Sequence, residues 1–378
     1  MSKTYKDCKW IAFRRGNPCP ICGGTDQRCS LYAKNTGEPI LYRCKYVTSS
    51  HPSGDGWYNH LASEVDGTNI DKERIKRIIR DYKQVTITEE DRKLWSKVYK
   101  RMREAFFILK GVYLYPEHLE NLLSRGLTED QVKEMEFFSV PKDEKIRYQG
   151  YEVKLKTAII KILLKYFKEE ELIKVPGFYK ATHNDSDYVA LKNTIYDNKR
   201  KDYVVIDGYF IPYHDYEGQI IGMQFRMLRP VYDKKMKPMR YIWFSSKSSC
   251  GSPIDYFVPN EIKKDDVILV TEGALKGKIS GSYLGVRVLA EAGVANYRSL
   301  IKTLQEIQEK EKKKFKVLLA LDMDKYSNPD VMNAEISTVT LLKATGVSTT
   351  ILEWDISEGK GIDDKLQNSL RGLRYLQF

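Results

Sequence analysis

The stretch VILVTEG at residues 267–273 decides the fold of the C-terminal part of the chain. Its run of apolar residues is typical of a strand buried on both faces, and the glutamate and glycine mark the end of that strand. Strand and helix patterns then alternate with short connections, which indicates a mostly parallel sheet covered by helices. We expect strands at 267–270, 286–290, 316–321 and 349–354, and helices at 274–283, 297–312 and 330–345.

Acidic residues follow these strands. Glu272 ends the first, Asp322 and Asp324 follow the third, and Asp363 and Asp364 follow the last. The carboxyl ends of parallel strands meet at one edge of a sheet, and strand alternation puts Asp322 and Asp324 on the same side. Carboxylates that lie this close repel one another unless a cation binds between them. Oxygen ligands favour Mg²⁺ or Mn²⁺, the ions that support phosphoryl transfer. This repulsion predicts that Asp322→Asn and Asp324→Asn leave the fold intact and stabilise the metal-free protein slightly.

A second cluster of chemically active residues lies near the N-terminus. Cys19-Pro-Ile-Cys22-Gly-Gly has the spacing of a zinc knuckle, and its glycines allow backbone N–H groups to point at the sulfurs. Cys29 and Cys44 complete a closed four-thiolate set, which is typical of structural zinc. His51 is the alternative to either later cysteine. Cys8 and Cys250 are expected to be free thiols.

The composition indicates a polyanionic partner. Lys and Arg number 63 and Asp and Glu 51, which leaves a net charge of +12. Hydrophobic residues make up 42% of the chain, which excludes a wholly disordered protein. The sequence contains no apolar run long enough to span a membrane and no signal-peptide core, so we expect a cytoplasmic protein. Aromatic and basic residues near the cysteines, such as Trp10, Arg43, Lys45 and Trp57, suit single-stranded nucleic acid.

The middle of the chain combines helices with antiparallel hairpins. A helical region covers 70–110 with a cap at Thr88, Pro116 begins a further helix, and Thr128 opens another as a capping box with Gln131. Strands at 203–206, 209–213 and 219–227 are separated by turn residues, as in successive antiparallel hairpins.

Several of these motifs together resemble a known family. Glu272-Gly273 followed by Asp322-x-Asp324 resembles the Toprim motif of bacterial-type primases, type IA and II topoisomerases, recombination mediators and some nucleases. The stretch GYFIPYHDYEGQIIG at 208–222, followed by Arg226, resembles the lead-in of the primase catalytic core, and YIWFSS at 241–246 resembles its substrate-facing strand. Nearly the whole chain is similar to replication proteins of phages and mobile elements. These proteins join a CPxCG zinc module to a Toprim-like domain that ends in Lys-Gly-hydrophobic-Asp-Asp.

The resemblance implies a multidomain fold that combines α+β and α/β parts. Residues 1–65 would form a zinc ribbon-like module and 66–150 a helical linker region. Residues 151–262 would form the N-terminal subdomain of a primase-type core, and 263–378 the Toprim domain with its parallel sheet.

The resemblance also implies a function. It predicts a DNA primase that makes short RNA primers on single-stranded DNA from nucleoside triphosphates, in a bacterial host cytoplasm and with a separately encoded replicative helicase, because the chain has no P-loop. Glu272 would act as general acid/base or metal ligand, Asp322 and Asp324 would hold Mg²⁺ or Mn²⁺, and Asp363 or Asp364 would assist. Lys276 departs from the acidic stretch of cellular primases at this point. The nucleic-acid and nucleotide ligands would be Arg226, Arg240, Lys247, Lys276, Lys325 and Lys360.

Two other functions remain open at this stage. Recombination mediators also pair a four-cysteine zinc module with a Toprim domain and perform no chemistry, so a noncatalytic single-stranded-DNA-binding replication or recombination factor is the alternative. A Toprim nuclease is the third possibility.

Overall fold

The computed structural model describes residues 8–14, 19–22, 24–34, 39–47, 49, 51–52, 57–61, 87–246 and 249–377. The chain divides into two compact units. One consists of Met1–Lys83 together with Phe257–Phe378, and the other is Gln84–Tyr256. The predicted mixture of α/β and α+β structure is confirmed. Within the described residues, no helix has the length and apolar character needed to cross a membrane.

The N-terminal residues form an antiparallel sheet of five strands in the order β1-β2-β3-β5-β4. The strands are β1 (Cys8–Arg14), β2 (Asp26–Lys34), β3 (Pro39–Cys44), β4 (His51–Pro52) and β5 (Tyr58–Leu61). Phe13, Leu31 and Tyr42 are buried beside the four cysteines of the predicted zinc set. The sheet therefore builds its small core around sulfur atoms.

The second unit packs five helices against antiparallel strands. The helices are α1 (Glu89–Lys110), α2 (Pro116–Leu123), α3 (Glu129–Glu134), α4 (Leu155–Leu163) and α5 (Glu169–Leu172). The strands are β6 (Phe138–Ser139), β7 (Lys145–Tyr148), β8 (Tyr151–Lys154), β9 (Phe178–His183), β10 (Ser186–Leu191), β11 (Thr194–Asp197), β12 (Asp202–Val205), β13 (Gly208–His214), β14 (Ile220–Tyr232) and β15 (Pro238–Trp243). The order β15-β14-β13-β6 makes the main sheet, and the other strands pair as hairpins.

The helix boundaries follow the local signals in the sequence. Thr88 Oγ1 accepts a hydrogen bond of 3.0 Å from Asp91 N, which confirms the predicted cap. The capping box of Thr128 and Gln131 and the start of α2 at Pro116 are also confirmed. One buried face of α1 shares its hydrophobic core with α4 and the strands that follow. The described part of the predicted linker region, 87–150, thus packs within the second unit.

The predicted run of successive hairpins is wrong at its first strand. β12 pairs antiparallel with β11, which precedes it, and not with β13. The Asn198-Lys-Arg-Lys201 turn closes this hairpin, and Lys201 adopts a positive φ of 57° there. β13 and β14 do form the predicted antiparallel hairpin. Asp215 shapes its turn, since Asp215 Oδ1 accepts from Glu217 N at 3.0 Å and Gln219 N at 2.9 Å.

The C-terminal residues form a six-stranded sheet in the order β16-β18-β17-β19-β20-β21. Its strands are β16 (Asp255–Phe257), β17 (Val267–Glu272), β18 (Arg287–Glu291), β19 (Lys316–Ala320), β20 (Thr349–Glu353) and β21 (Arg374–Gln377). Its helices are α6 (Ala274–Leu284), α7 (Tyr297–Glu311), α8 (Pro329–Ala344) and α9 (Ile362–Asn368), with 3₁₀ turns at Val294–Asn296, Met323–Tyr326 and Ile356–Glu358. The β17–β18, β17–β19 and β19–β20 pairs are parallel, which confirms the prediction.

Helix α8 is buried on almost every side. Of its residues 331–342 only Ile336 is partly exposed, and Ile336 packs against the cluster that contains the four cysteines. A surface helix carries a polar face, whereas a helix that is apolar or uncharged all round belongs inside a protein. The helix thus brings the cysteine-rich sheet and the parallel sheet into one unit.

We expect Gly177→Ala to destabilise the protein by about 2–4 kcal/mol. Gly177 has φ +93°, and a Cβ at this position would overlap the ring of Phe244 in the aromatic core. The positive φ costs an alanine about 1 kcal/mol, and the overlap adds an overpacking penalty of about 1–3 kcal/mol. The measurement is thermal and urea unfolding of the full chain, followed by circular dichroism.

Gly218→Ala is the matched control. Gly218 lies in the same unit with φ +70°, and a Cβ there would meet nothing within 4 Å. We therefore expect Gly218→Ala to lose only about 1 kcal/mol, the cost of the backbone conformation. Equal losses in the two variants would contradict the proposed contact with Phe244.

Candidate metal centre and carboxylate cluster

Four cysteine sulfurs meet at one end of the N-terminal sheet. Cys19 and Cys22 lie in the turn after β1, Cys29 lies within β2, and Cys44 is the last residue of β3. All four side chains are buried, and their sulfurs lie within 4.8 Å of one another. The measured distances are 3.6 Å from Cys22 Sγ to Cys29 Sγ and 3.8 Å from Cys29 Sγ to Cys44 Sγ.

These distances fit a tetrahedral zinc site. With Zn–S bonds of about 2.3 Å, the sulfurs of a tetrahedron are separated by about 3.8 Å. A disulfide would require about 2.05 Å, and all four cysteines are free. Backbone N–H groups also point at the sulfurs, as the glycine-rich turn predicts: Gly24 N donates to Cys22 Sγ at 3.3 Å and Lys45 N to Cys29 Sγ at 3.4 Å. Such donors stabilise the thiolate form that binds metal.

The close packing of the four thiols shifts their pKa values in opposite directions. Burial raises the pKa of Cys19 well above its ordinary value, whereas hydrogen bonds from the other cysteines lower the pKa of Cys44. A bound divalent cation would favour the thiolate form of all four. The side chain of His51, the alternative ligand, lies outside the described part of the structure, as does that of Cys8.

The acidic residues lie at the carboxyl edge of the parallel sheet. Glu272 is the last residue of β17, Asp322 follows β19 by two positions, and Asp363 lies in the first turn of α9. Thr271 Oγ1 donates to Ala320 O at 2.7 Å and so joins the ends of β17 and β19. Glu272 is partly buried, and its pKa is raised by this burial, with Lys276 opposing and Asp322 adding to the effect.

Two lysines pair with the aspartates of this edge. Lys276 Nζ donates to Asp322 Oδ1, and Lys360 Nζ lies 3.3 Å from Asp322 Oδ2 and 2.8 Å from Asp324 Oδ2. Burial lowers the pKa of Lys276, but the Asp322 carboxylate and the Asp363 and Glu272 charges raise it above its ordinary value overall. Lys276 is largely enclosed, whereas 57% of the Lys360 side chain is exposed. Lys276 is therefore a fixed charge and Lys360 a movable one.

Asp322 and Asp324 do lie close together, but not through the strand alternation that the sequence predicts. β19 ends at Ala320, and Asp324 lies in the 3₁₀ turn Met323–Tyr326, so strand alternation does not place it beside Asp322. Lys360 instead bridges the two carboxylates, and its backbone carbonyl accepts from Met323 N at 3.0 Å. The Oδ1 atom of Asp324 is buried without a hydrogen-bond partner. Oxygen donors with such an orphaned atom fit a divalent cation.

Asp363 and Asp364, the two candidate aspartates that follow the last parallel strand, have different surroundings. Asp363 is buried and interacts electrostatically with Lys276, whereas Asp364 is exposed near the backbone N–H of Gly361, 3.5 Å away, at the start of α9. A Cβ on Gly361 would lie 2.8 Å from Lys276 Cε, so only glycine allows this close approach. The carboxylate that joins the cluster through Lys276 is thus Asp363.

The predicted nucleic-acid ligands are not equally accessible. Lys325 is 1% exposed and pairs with Glu335 and Glu353 at 2.8 Å each, so this prediction is corrected: the three charges form an internal network. Arg226 is also buried, where it donates to Met227 O and lies 5.0 Å from the Tyr241 ring. Arg240 is exposed, and Lys247 lies outside the described residues.

Glu291 is a candidate site residue that was not predicted from the sequence. Glu291 ends β18 and is the register partner of Glu272 across the parallel pair. The available signal was the same one that identified Glu272, an apolar strand followed by a glutamate.

Another group of residues that could hold a metal ion forms a hydrogen-bond network instead. Glu117, His118 and Asp207 lie within 4.8 Å of one another. His118 is buried, with Nδ1 2.7 Å from Ser139 Oγ and Nε2 3.1 Å from Asp207 Oδ1, and Lys142 pairs with Glu117. Each member of the set therefore already has a partner.

Comparisons with known proteins give the following matches. The family model described as Domain of unknown function (DUF3854) matches residues 260–371, and no curated protein matches the chain. The zinc-binding and RNA polymerase domains of Aquifex aeolicus primase are similar at 15% identity with a TM-score of 0.47, over 99% of this chain and 81% of that one. A DNA primase domain from Pseudomonas aeruginosa is similar at 14% identity with a TM-score of 0.44, over 75% and 79%. The DnaG primase catalytic domain bound to single-stranded DNA is similar at 15% identity with a TM-score of 0.42, over 73% and 78%.

We expect the purified protein to bind one equivalent of zinc and Cys29→Ser to lose it. Serine at this position offers a hydroxyl in place of a thiolate and leaves three sulfurs, which removes the closed tetrahedral set. Metal analysis of the purified variant measures the loss. Cys250→Ser is the control, because Cys250 is a buried free thiol of the second unit whose burial raises its pKa to about 12. Full zinc retention in Cys29→Ser with loss in His51→Ala would contradict the four-cysteine assignment.

The pairing of Asp322 with Lys276 reverses the effect on stability that the sequence predicts for Asp322→Asn. This substitution removes the main counter-charge of the enclosed Lys276, so we expect the metal-free protein to lose about 2–3 kcal/mol of stability. Asp324→Asn breaks a contact to the exposed Lys360, which costs about 1 kcal/mol or less. Unfolding in the presence of a chelator measures both, and a stabilised Asp322→Asn would contradict the pairing with Lys276.

Proposed function

We propose that this chain is a DNA primase-like enzyme that makes short RNA primers on single-stranded DNA from nucleoside triphosphates. The observation that carries the proposal is the cluster at the carboxyl edge of the parallel sheet. There, the carboxylates of Glu272, Asp322 and Asp324 surround the ammonium groups of Lys276 and Lys360. Open parallel sheets bind their ligands at this edge, and the mixture of oxygen ligands and ammonium groups suits a metal-bound triphosphate.

In this proposal each residue of the cluster has a distinct role. Asp322 and Asp324 would hold a divalent cation, with Asp363 supporting them through Lys276. When bound, the cation supplies charge stabilisation for nucleotidyl transfer. The exposed Lys360 can leave Asp324 and pair with the triphosphate, since a flexible ammonium group binds phosphate as a point charge.

Glu272 is the candidate acid/base in the transfer itself. The 3′-hydroxyl oxygen of the growing primer attacks the α-phosphorus of the incoming nucleotide, and the bond to the β-phosphate breaks to release pyrophosphate. The hydroxyl proton passes to Glu272. In the metal-free protein, partial burial raises the pKa of this carboxyl above its ordinary value.

Template binding is the proposed role of exposed and partly exposed aromatic and basic groups. Trp10 is 42% exposed, with the Arg43 guanidinium 4.3 Å from its ring, and Lys45 lies 5.4 Å from the ring of Trp57. Bases of a single strand stack on such rings while the cations contact phosphate, with little dependence on sequence. Arg240 adds an exposed cation in the second unit. Zinc would be structural, and a separate helicase would supply movement along DNA.

A noncatalytic role in replication or recombination is the second candidate. The observation that favours it is the neutralisation of Asp322 and Asp324 by Lys276 and Lys360, which balances the carboxylates in the absence of metal. In such a protein the cluster would act as an internal charge network and single-stranded DNA binding would be the activity. Both candidates use the same domain plan. Residues 1–65 would form the zinc module and 66–150 the linker region. Residues 151–262 would form the primase-like subdomain and 263–378 the Toprim domain.

We expect wild-type protein to incorporate labelled nucleotides on mixed-sequence single-stranded DNA with Mg²⁺ or Mn²⁺. Glu272→Gln and Asp324→Asn should lower incorporation by at least about 100-fold, because the first removes the proposed proton acceptor and the second a proposed metal ligand. Their affinity for single-stranded DNA should stay within about twofold, since the proposed template contacts lie elsewhere. Gel-resolved primer synthesis and fluorescence anisotropy are the two measurements.

Glu311→Gln is the matched control for primer synthesis. Glu311 pairs with Arg287 at the amino end of β18, opposite the cluster, and this variant should remain active. DNA binding by the wild type without nucleotide incorporation under either metal would favour the noncatalytic factor. Metal-dependent strand cleavage that is lost in the same variants would favour a nuclease.

A further inference from the structure

Glu291 is a buried carboxyl that the proposed mechanism does not use. Glu291 and Glu272 are the last residues of two hydrogen-bonded parallel strands and are paired in register. Register partners point to the same face of a sheet, and neighbouring strands are about 4.8 Å apart. Glu291 is 1% exposed, so both its carboxyl oxygens are removed from solvent.

The hydrogen bonding of Glu291 leaves one oxygen available. The backbone N–H of Asn296 donates to the carboxyl group, but Oε2 has no hydrogen-bond partner. The backbone is held as well, since Gly273 N donates to Glu291 O at 2.6 Å. Within the described part of the chain the charge that acts on Glu291 is that of Glu272, and no lysine or arginine offsets it. A buried carboxyl of this kind is costly unless a further group binds it.

The distribution of the lysines indicates where a cation belongs. Lys276 lies against Asp322 and Asp363, and Lys360 lies against Asp322 and Asp324. The two ammonium groups therefore neutralise the side of the cluster that follows β19 and β20. Lys276 and Lys360 also act on Glu272 at the end of β17, whereas within the described residues no lysine or arginine acts on Glu291 at the end of β18. The β18 end is therefore the part of the cluster without a positive partner.

We propose that Glu291 Oε2 and one carboxyl oxygen of Glu272 ligate a divalent cation, at the same metal site at which the proposed primase binds its nucleotide, which leaves the other Glu272 oxygen to accept the hydroxyl proton. This inference deepens the proposed function and rests on it for the role of the metal. Two carboxylates at adjacent strand ends provide the oxygen ligands that Mg²⁺ and Mn²⁺ prefer. The Asn296 N–H orients the Glu291 carboxyl, as a second hydrogen-bond partner does for many metal ligands. Glu291 thus supplies a carboxylate on the β18 side, while Lys276 is fixed beside Asp322 and Asp363.

The experiment measures Mn²⁺ binding to the full chain, by electron paramagnetic resonance of the free ion and by the Mn²⁺-induced rise in Tm. Glu291→Gln keeps the size of the side chain and removes its charge, and we expect Mn²⁺ to bind about tenfold more weakly or worse. The rise in Tm should shrink accordingly. Without metal, Glu291→Gln should unfold at the same temperature as wild type or higher, because repulsion with Glu272 is gone.

Two further variants make the comparison specific. Glu311→Gln changes a carboxylate at the opposite end of β18 and should bind Mn²⁺ within about twofold of wild type. If Glu291→Gln fails to fold, Glu291→Asp replaces it in the test. The aspartate keeps the charge but withdraws the oxygen by one methylene, so weaker Mn²⁺ binding is expected here too.

The outcomes separate this inference from the proposed function. Unchanged Mn²⁺ affinity in Glu291→Gln, together with a loss in Asp324→Asn, would overturn the inference and leave the proposed primase site intact. A wild type that binds no Mn²⁺ would overturn both. Weaker binding in Glu291→Gln, in a protein that makes no primers, would support the inference while the proposed function fails.

Discussion

The ion pair between Lys276 and Asp322 holds the carboxyl edge of the parallel sheet together. Parallel pairing brings Glu272, Asp322 and Asp363 to this edge, where their charges repel one another. Lys276 is enclosed among them, and its ammonium group offsets this repulsion in the absence of metal. The close approach depends on Gly361, because any side chain there would displace the lysine. The same pair decides how a cation can bind, since it leaves the β18 side of the cluster without a positive partner.

Sulfur takes the place of a hydrophobic core in the N-terminal sheet. Five short strands cannot bury enough apolar surface to be stable alone, and the sheet closes over four thiols in addition to Phe13, Leu31 and Tyr42. Bound metal would therefore contribute folding energy to this part of the chain. The contact between Ile336 and the cysteine-containing cluster links the zinc site to α8, whose residues 331–342 are all buried except the partly exposed Ile336. Zinc binding and the packing of the parallel sheet are linked through this helix.

Lysines with the same sequence surroundings have different physical roles. Lys325 directly follows the Asp322-x-Asp324 motif but is fully buried between Glu335 and Glu353, so it stabilises the fold and offers nothing to a ligand. Lys360 is distant in sequence, yet it bridges both aspartates and keeps more than half of its side chain in solvent. Exposure and the number of carboxylate partners, rather than position in a motif, separate a structural lysine from one that can meet a phosphate.

The sequence by itself determined the features that depend on local rules. Apolar runs with short connections predicted the order of strands and helices from residue 267 to residue 354, but not the helix Ile362–Asn368 or the strand Arg374–Gln377. The caps at Thr88 and Thr128 set helix starts, and the spacing of Cys19, Cys22, Cys29 and Cys44 predicted a common site. Backbone hydrogen bonding and side-chain periodicity act over a few residues, so they can be read in order along the chain.

Only the tertiary structure decided which charges meet. It placed Asp363 rather than Asp364 beside Lys276, buried Lys325 and Arg226, and set Glu291 against Glu272. It also paired β12 with β11 and brought Asp324 to Lys360 through a 3₁₀ turn. The physical reason is that electrostatic energy depends on distance and burial between residues far apart in sequence, and neither quantity is encoded by the spacing of a motif.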